Sequence, residues 1–132
     1  YGVAQKEVID ALGLTKLVYN MNILSQNAAL AAMDYADDIL AHNIPPTLAA
    51  RQHFMDALKD VPNLTVYPSA TNFVLVRVPD GPAMVKALHD ADICVRSYKA
   101  ADLKNCLRIT ITTDDVVRRV VAVMTEEAKK YA

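Results

Sequence analysis

The chain has 132 residues, 53% of them hydrophobic and 22% charged, with 14 Lys and Arg against 15 Asp and Glu for a net charge of −1. This balance provides no electrostatic footprint for nucleic acid or an acidic membrane surface, and no apolar run approaches the roughly 20 residues that span a bilayer. The N-terminus carries no secretory pattern, so a cytoplasmic location is expected, and a chain of this length can bury a real core as one small domain without disulfide staples.

The first expected element is a short amphipathic helix over 6–12, with Val8, Ile9 and Leu12 on one face and Gly13 as its stop. Residues 14–21 read as irregular. From 22 to 33 an Ala-rich stretch with Ile23, Leu24, Ala28, Leu30 and Ala31 predicts a helix apolar on most sides, hence buried. A further helix opens at Asp34 or Tyr35. Pro45 and Pro46 are expected to break or kink it, because each lacks an amide donor and restricts the residue before it. The helix resumes over 47–59 with Leu48, Phe54, Met55 and Leu58 as its inner stripe. His42, His53 and His89 all lie on helical segments at spacings that no single metal site needs, so no metal is expected.

Pro62 and Asn63 form a turn into a strand over 64–67, and the run 72–78 (Phe73, Val74, Leu75, Val76, Arg77, Val78) predicts a second. After a turn at 79–81, a helix over 82–91 carries Pro82 in its first turn, where a missing donor costs little. Two more strands follow, over 93–96 and 106–111, joined by a polar loop from 97 to 105. The last helix has Thr113 at its N-cap, Asp114 and Asp115 in the first turn and Lys129 and Lys130 at the end, charges that suit the helix dipole. Its inner stripe is Val116, Val117, Val120, Val121, Val123 and Met124. The pattern is a helical N-terminal third followed by ββαββα, an α/β sandwich with a sheet on one side and helices on the other. Cys94 and Cys106 lack metal spacing and read as reduced thiols.

Arg96 and Arg108 stand in apolar strands where Val, Ile or Thr would be the ordinary choice. Side chains alternate faces along a strand, so Leu107, Ile109 and Ile111 share the core face while Arg108 points away from it. By the same parity Ile93 and Val95 face inward and Arg96 outward. If the two strands are neighbours, both guanidiniums leave one surface. Each could be a strand arginine with its stem on apolar surface and its head in water or on a carboxylate. Together they point to a guest with two anionic ends, since a guanidinium grips carboxylate or phosphate with a planar fork and cannot lose its charge.

Three segments carry a family resemblance: Val18-Tyr19-Asn20-Met21-Asn22 before the Ala-rich helix, the run from Leu64 through Asn72-Phe73 to Arg77, and Val95-Arg96 with Asn105-Cys106-Leu107-Arg108-Ile109-Thr110. Together they resemble the C-terminal part of histidinol-phosphate aminotransferase, and the likeness runs in order along essentially the whole chain. The resemblance implies the C-terminal small domain of a homodimeric, fold-type I, pyridoxal-phosphate-dependent transferase. Residues 1–43 would close the large cofactor-binding domain and 44–132 would form the small one. The implied reaction moves an amino group between glutamate and imidazole-acetol phosphate in histidine biosynthesis, with histidinol phosphate and 2-oxoglutarate as the other small-molecule partners.

On the same resemblance Arg108 would clamp the substrate carboxylate and Arg96 the second anionic end. Asn72 would contact substrate at the entry to its strand, and Tyr19 and Asn20 would lie in a loop near the dimer interface and active site. The family's Schiff-base lysine is expected upstream, so no catalytic residue is assigned here and the 132 residues alone are expected not to transaminate. Val18 and the segment 112–116 depart from the usual family text, which leaves an aromatic or other amino-acid aminotransferase of the same fold as the alternative. A standalone anion-binding or regulatory module is the alternative of another class.

Overall fold

The computed structural model describes residues 2–17 and 20–131. It divides into two compact units, Tyr1–Ile39 and Leu40–Ala132.

The first unit holds α1 (Lys6–Thr15), α2 (Ile23–Asp34) and the start of α3 (Ala36–Leu58). Gly13 does not end α1: the helix runs two residues further, and Thr15 Oγ1 donates to the Leu12 carbonyl at 3.0 Å. A helical glycine costs only about 1 kcal/mol, too little by itself to terminate a turn. Asn22 caps α2 by accepting from the Ser25 amide at 2.8 Å. The expected burial of α2 is overturned, since none of its residues is buried and Leu24 is 78% exposed. A helix apolar all round needs neighbours on every side, and within this unit no described side chain is buried.

Pro45 and Pro46 lie inside α3, which continues through them without a break, contrary to the expectation from sequence. Their fixed φ is helical, but each removes an amide donor and crowds the carbonyl four residues back. Two features favour continuation. Thr47 Oγ1 donates to the Asn43 carbonyl at 2.9 Å, and the following turns are anchored by Ala50, Phe54 and Leu58, all buried.

The second unit is a four-stranded antiparallel sheet with helices on one face. Its strands are β1 (Thr65–Val66), β2 (Phe73–Arg77), β3 (Arg96–Ser97) and β4 (Cys106–Thr110), in the order β1-β2-β4-β3. Val74 and Val76 of β2 and Leu107 and Ile109 of β4 point into the core, where they meet Phe54 and Leu58 of α3, Met84 and Leu88 of α4 (Gly81–Asp90), and Val117, Val120 and Met124 of α5 (Asp114–Lys129). The element order after α3 is the expected ββαββα. Residues 93–95 are not laddered, so the third strand is shorter than read from sequence, and Ile93 and Val95 are half-buried against the core.

One close approach ties the sheet to α4. Asn105, at φ 60°, accepts from the Gly81 amide and donates to the Pro79 carbonyl, and a Cβ on Gly81 would stand 3.1 Å from its Oδ1. A side chain there would require Asn105 to give way by a few tenths of an ångström. Among the described residues no helix is long and apolar enough to cross a membrane.

Candidate functional site: an arginine-bearing sheet face

The sheet face turned away from the helices carries Phe73, Leu75 and Arg77 on β2, Cys106, Arg108 and Thr110 on β4, and Arg96 on β3. Arg96 and Arg108 are direct cross-strand partners, as are Leu75 and Arg108. Direct partners project from the same face, so the two guanidiniums do emerge side by side. Like charges placed opposite each other across strands are destabilising. Among the described residues no acidic side chain forms an ion pair with either arginine.

Their surroundings differ. Arg108 is half-buried, its Nε is fully shielded without a hydrogen-bond partner, and its guanidinium carbon lies 5.2 Å from the centre of the Phe73 ring. Arg96 is exposed and lies 5.9 Å from the Tyr98 ring. The third arginine of this face, Arg77, is spent on structure: it donates to Tyr67 Oη at 3.1 Å and to the carbonyls of Asp102 and Lys104, pinning the loop after β3.

Of the other residues singled out from sequence, Asn72 stands at the entry to β2, where its carbonyl accepts from the Ile111 amide at 2.8 Å. It has the opposite parity to Phe73, so by strand alternation it does not share the arginine face. It lines a small cavity beside α3 with Asn43, Thr47, Leu48 and Arg51. Asn20 belongs to the first unit and is exposed; Tyr19 lies outside the described residues.

Sequence reasoning passed over a second cluster. His53 Nδ1 donates to Asp114 Oδ1 at 2.5 Å and Arg118 Nε donates to Asp114 Oδ2 at 2.8 Å, joining α3 to the first turn of α5 beside a cavity of about 720 Å³. The His53 hydrogen bond, with the Arg118 guanidinium behind it, holds the Asp114 carboxyl below the usual carboxylate range despite partial desolvation that raises it. A carboxylate whose folded value is depressed contributes stability above its unfolded value of about 3.9 and loses it as pH falls through the folded one. Asp114→Asn is therefore expected to lower the urea midpoint at pH 6, with the gap to wild type closing below about pH 4. A gap independent of pH would contradict this.

All eight lysines are exposed, and Lys6, Lys59, Lys86, Lys129 and Lys130 are each paired with a nearby carboxylate. None has the apolar setting that makes an amine a nucleophile at neutral pH. No cluster suited to a metal ion occurs among the described residues.

The second unit is thus an α/β sandwich that presents, on its open sheet face, a pair of arginines with no ion pair among the described residues. A sequence profile of the family described as aminotransferase class I and II matches residues 1–124. The chain is 36% identical over 114 residues, 86% of its length, to histidinol-phosphate aminotransferase of Thermoanaerobacter sp. (strain X514). It is 33% identical over 116 residues, 87% of its length, to the protein of the same name from Ruminiclostridium cellulolyticum. In both cases it spans 32% of the relative's length. Histidinol-phosphate aminotransferase from Sinorhizobium meliloti, solved in complex with pyridoxal-5'-phosphate, superposes with a TM-score of 0.61 at 30% identity, covering 80% of this chain and 28% of that one. The chain belongs to the class I and II aminotransferase family.

Proposed function

We propose that this chain is the C-terminal part of a histidinol-phosphate aminotransferase, a homodimeric cytoplasmic enzyme exchanging an amino group between glutamate and imidazole-acetol phosphate. Residues 1–43 would complete the large domain and 44–132 would form the small one. The apolar residues exposed along α1 and α2, among them Val8, Leu12, Ile23, Leu24 and Leu30, support a larger body around the first unit. Pyridoxal phosphate would be the cofactor of the whole protein. The lysines described above do not fit the role of holding it, so that residue would lie in the rest of the protein, and the 132 residues alone would not turn over glutamate.

The observation that carries this reading is the direct pairing of Arg96 with Arg108 and the absence of any carboxylate to offset them among the described residues. Two adjacent forks match glutamate, which has two carboxylates, and one of them also serves the other substrate, whose single anionic group is a phosphate. Arg108 would take the α-carboxylate and Arg96 the distal anion, with Asn72, Tyr19 and Asn20 as further substrate contacts. By fixing both ends of the substrate, the arginines would orient its α-carbon and convert encounter into near-unimolecular reaction, a positioning effect of several kcal/mol.

In the full-length protein, Arg96→Ala is expected to lower kcat/KM for histidinol phosphate at least about tenfold while leaving phenylalanine as amino donor within about twofold, the loss being that of one charge-assisted contact. Equal loss with both donors would remove the phosphate role from Arg96 and favour an aromatic or other amino-acid aminotransferase.

A further inference from the structure

Of the three arginines of the open sheet face, Arg77 has committed its donors, while Arg96 and Arg108 each lie beside an aromatic ring and keep theirs free, Arg108 alone being half-buried. Arg77 is fixed by a hydroxyl and two carbonyls. Arg96 is exposed at the edge strand. Arg108 has neither an ion pair nor a partner for its shielded Nε, and the aromatic face of Phe73 lies 5.2 Å from its guanidinium carbon. A ring holds a guanidinium by its quadrupole and consumes no N–H donor, whereas a hydrogen-bonded or ion-paired arginine has already committed its fork.

We propose that Phe73 is the positioning residue for Arg108: its ring fixes the plane of the guanidinium so that the terminal nitrogens meet a substrate carboxylate already oriented. The strand register puts this contact within reach. Leu75 is directly opposite Arg108, so Phe73, two residues earlier on the same face, is its diagonal neighbour. Phe73 is itself pinned through its backbone, since Ser69 Oγ and Thr71 Oγ1 both donate to its carbonyl and Thr71 Oγ1 accepts from its amide at 3.3 Å. The 69–71 turn thereby sets the ring, and the ring sets the fork.

The proposal rests on Arg108 binding the substrate carboxylate, and the test separates the two. In the full-length enzyme Phe73 is replaced by phenylalanines bearing one, two and three ring fluorines, which weaken the quadrupole with little change in shape. KM for glutamate is expected to rise stepwise with fluorination while kcat stays within about twofold, the pattern of lost uniform binding. Phe73→Leu is expected to raise KM about five- to tenfold and Phe73→Tyr to restore it to within about twofold of wild type. KM indifferent to fluorination, with Arg108→Lys still strongly impaired, would overturn the role of Phe73 alone. KM unchanged in Arg108→Lys as well would overturn the carboxylate clamp on which it depends.

Discussion

Exchange of Arg108 for alanine in the full-length protein is expected to lower kcat/KM for glutamate by roughly thirtyfold to several thousandfold. That range corresponds to about 2–5 kcal/mol, the usual loss when one member of a desolvated, hydrogen-bonded charge pair is truncated. Glutamate presents an α-carboxylate and histidinol phosphate has none, so the loss should fall mainly on glutamate, and this distinguishes Arg108 from Arg96. Stability should not fall in parallel. Arg108 faces a like charge across the ladder and has an unsatisfied buried Nε, so its removal relieves two unfavourable features of the fold. Steady-state kinetics with both donors, together with a thermal melt, would check the prediction; activity with glutamate within threefold of wild type would show that the carboxylate is held elsewhere.

The second large effect falls on the core. Phe54 is fully buried on α3, facing the helix-covered side of the sheet within the cluster of Val74, Leu107, Val120 and Met124. Phe54→Ala leaves a void that close-packed neighbours fill only in part, at an expected cost of about 3–5 kcal/mol. Against a typical domain stability of about 5–15 kcal/mol, this is a substantial fraction. Urea unfolding of the chain followed by circular dichroism should show the midpoint falling sharply. A loss under about 1 kcal/mol would mean that the half of α3 beyond Pro46 does not pack as described.

That half of α3 also shows where sequence reasoning stops. A double proline reads as a break because it removes donors, yet the continuation is decided by what lies downstream: the Thr47 hydroxyl on the Asn43 carbonyl and the burial of Ala50, Phe54 and Leu58. The expected burial of α2 rests on its apolar residues alone. Composition reports how much apolar surface a helix offers, and whether anything covers it is a matter of neighbours. The strands, by contrast, were legible because alternation is a local property, and Leu107, Ile109 and Ile111 face inward as their parity required.

Parity also carried half of the candidate site. It places Arg96 and Arg108 on the outer faces of their own strands, but strand order makes them neighbours, and that depends on β4 lying between β2 and β3. The Phe73 contact was readable in principle, since Phe73 shares the outer parity of its strand, though only the register sets it diagonal to Arg108. The His53–Asp114 bond joins residues 61 positions apart on two helices, and nothing local announces it. Asn105 and Gly81 are a further case, a left-handed asparagine meeting a glycine 24 residues away.

Crystallographic distances in the full-length protein with glutamate bound bear on the arginine pair without intermediary. The α-carboxylate is expected within about 2.7–2.9 Å of the terminal nitrogens of Arg108, and the side-chain carboxylate at similar distance from Arg96. A complex in which either guanidinium turns away to an aspartate or glutamate, with the ligand's anionic groups held by other residues, would contradict the assignment.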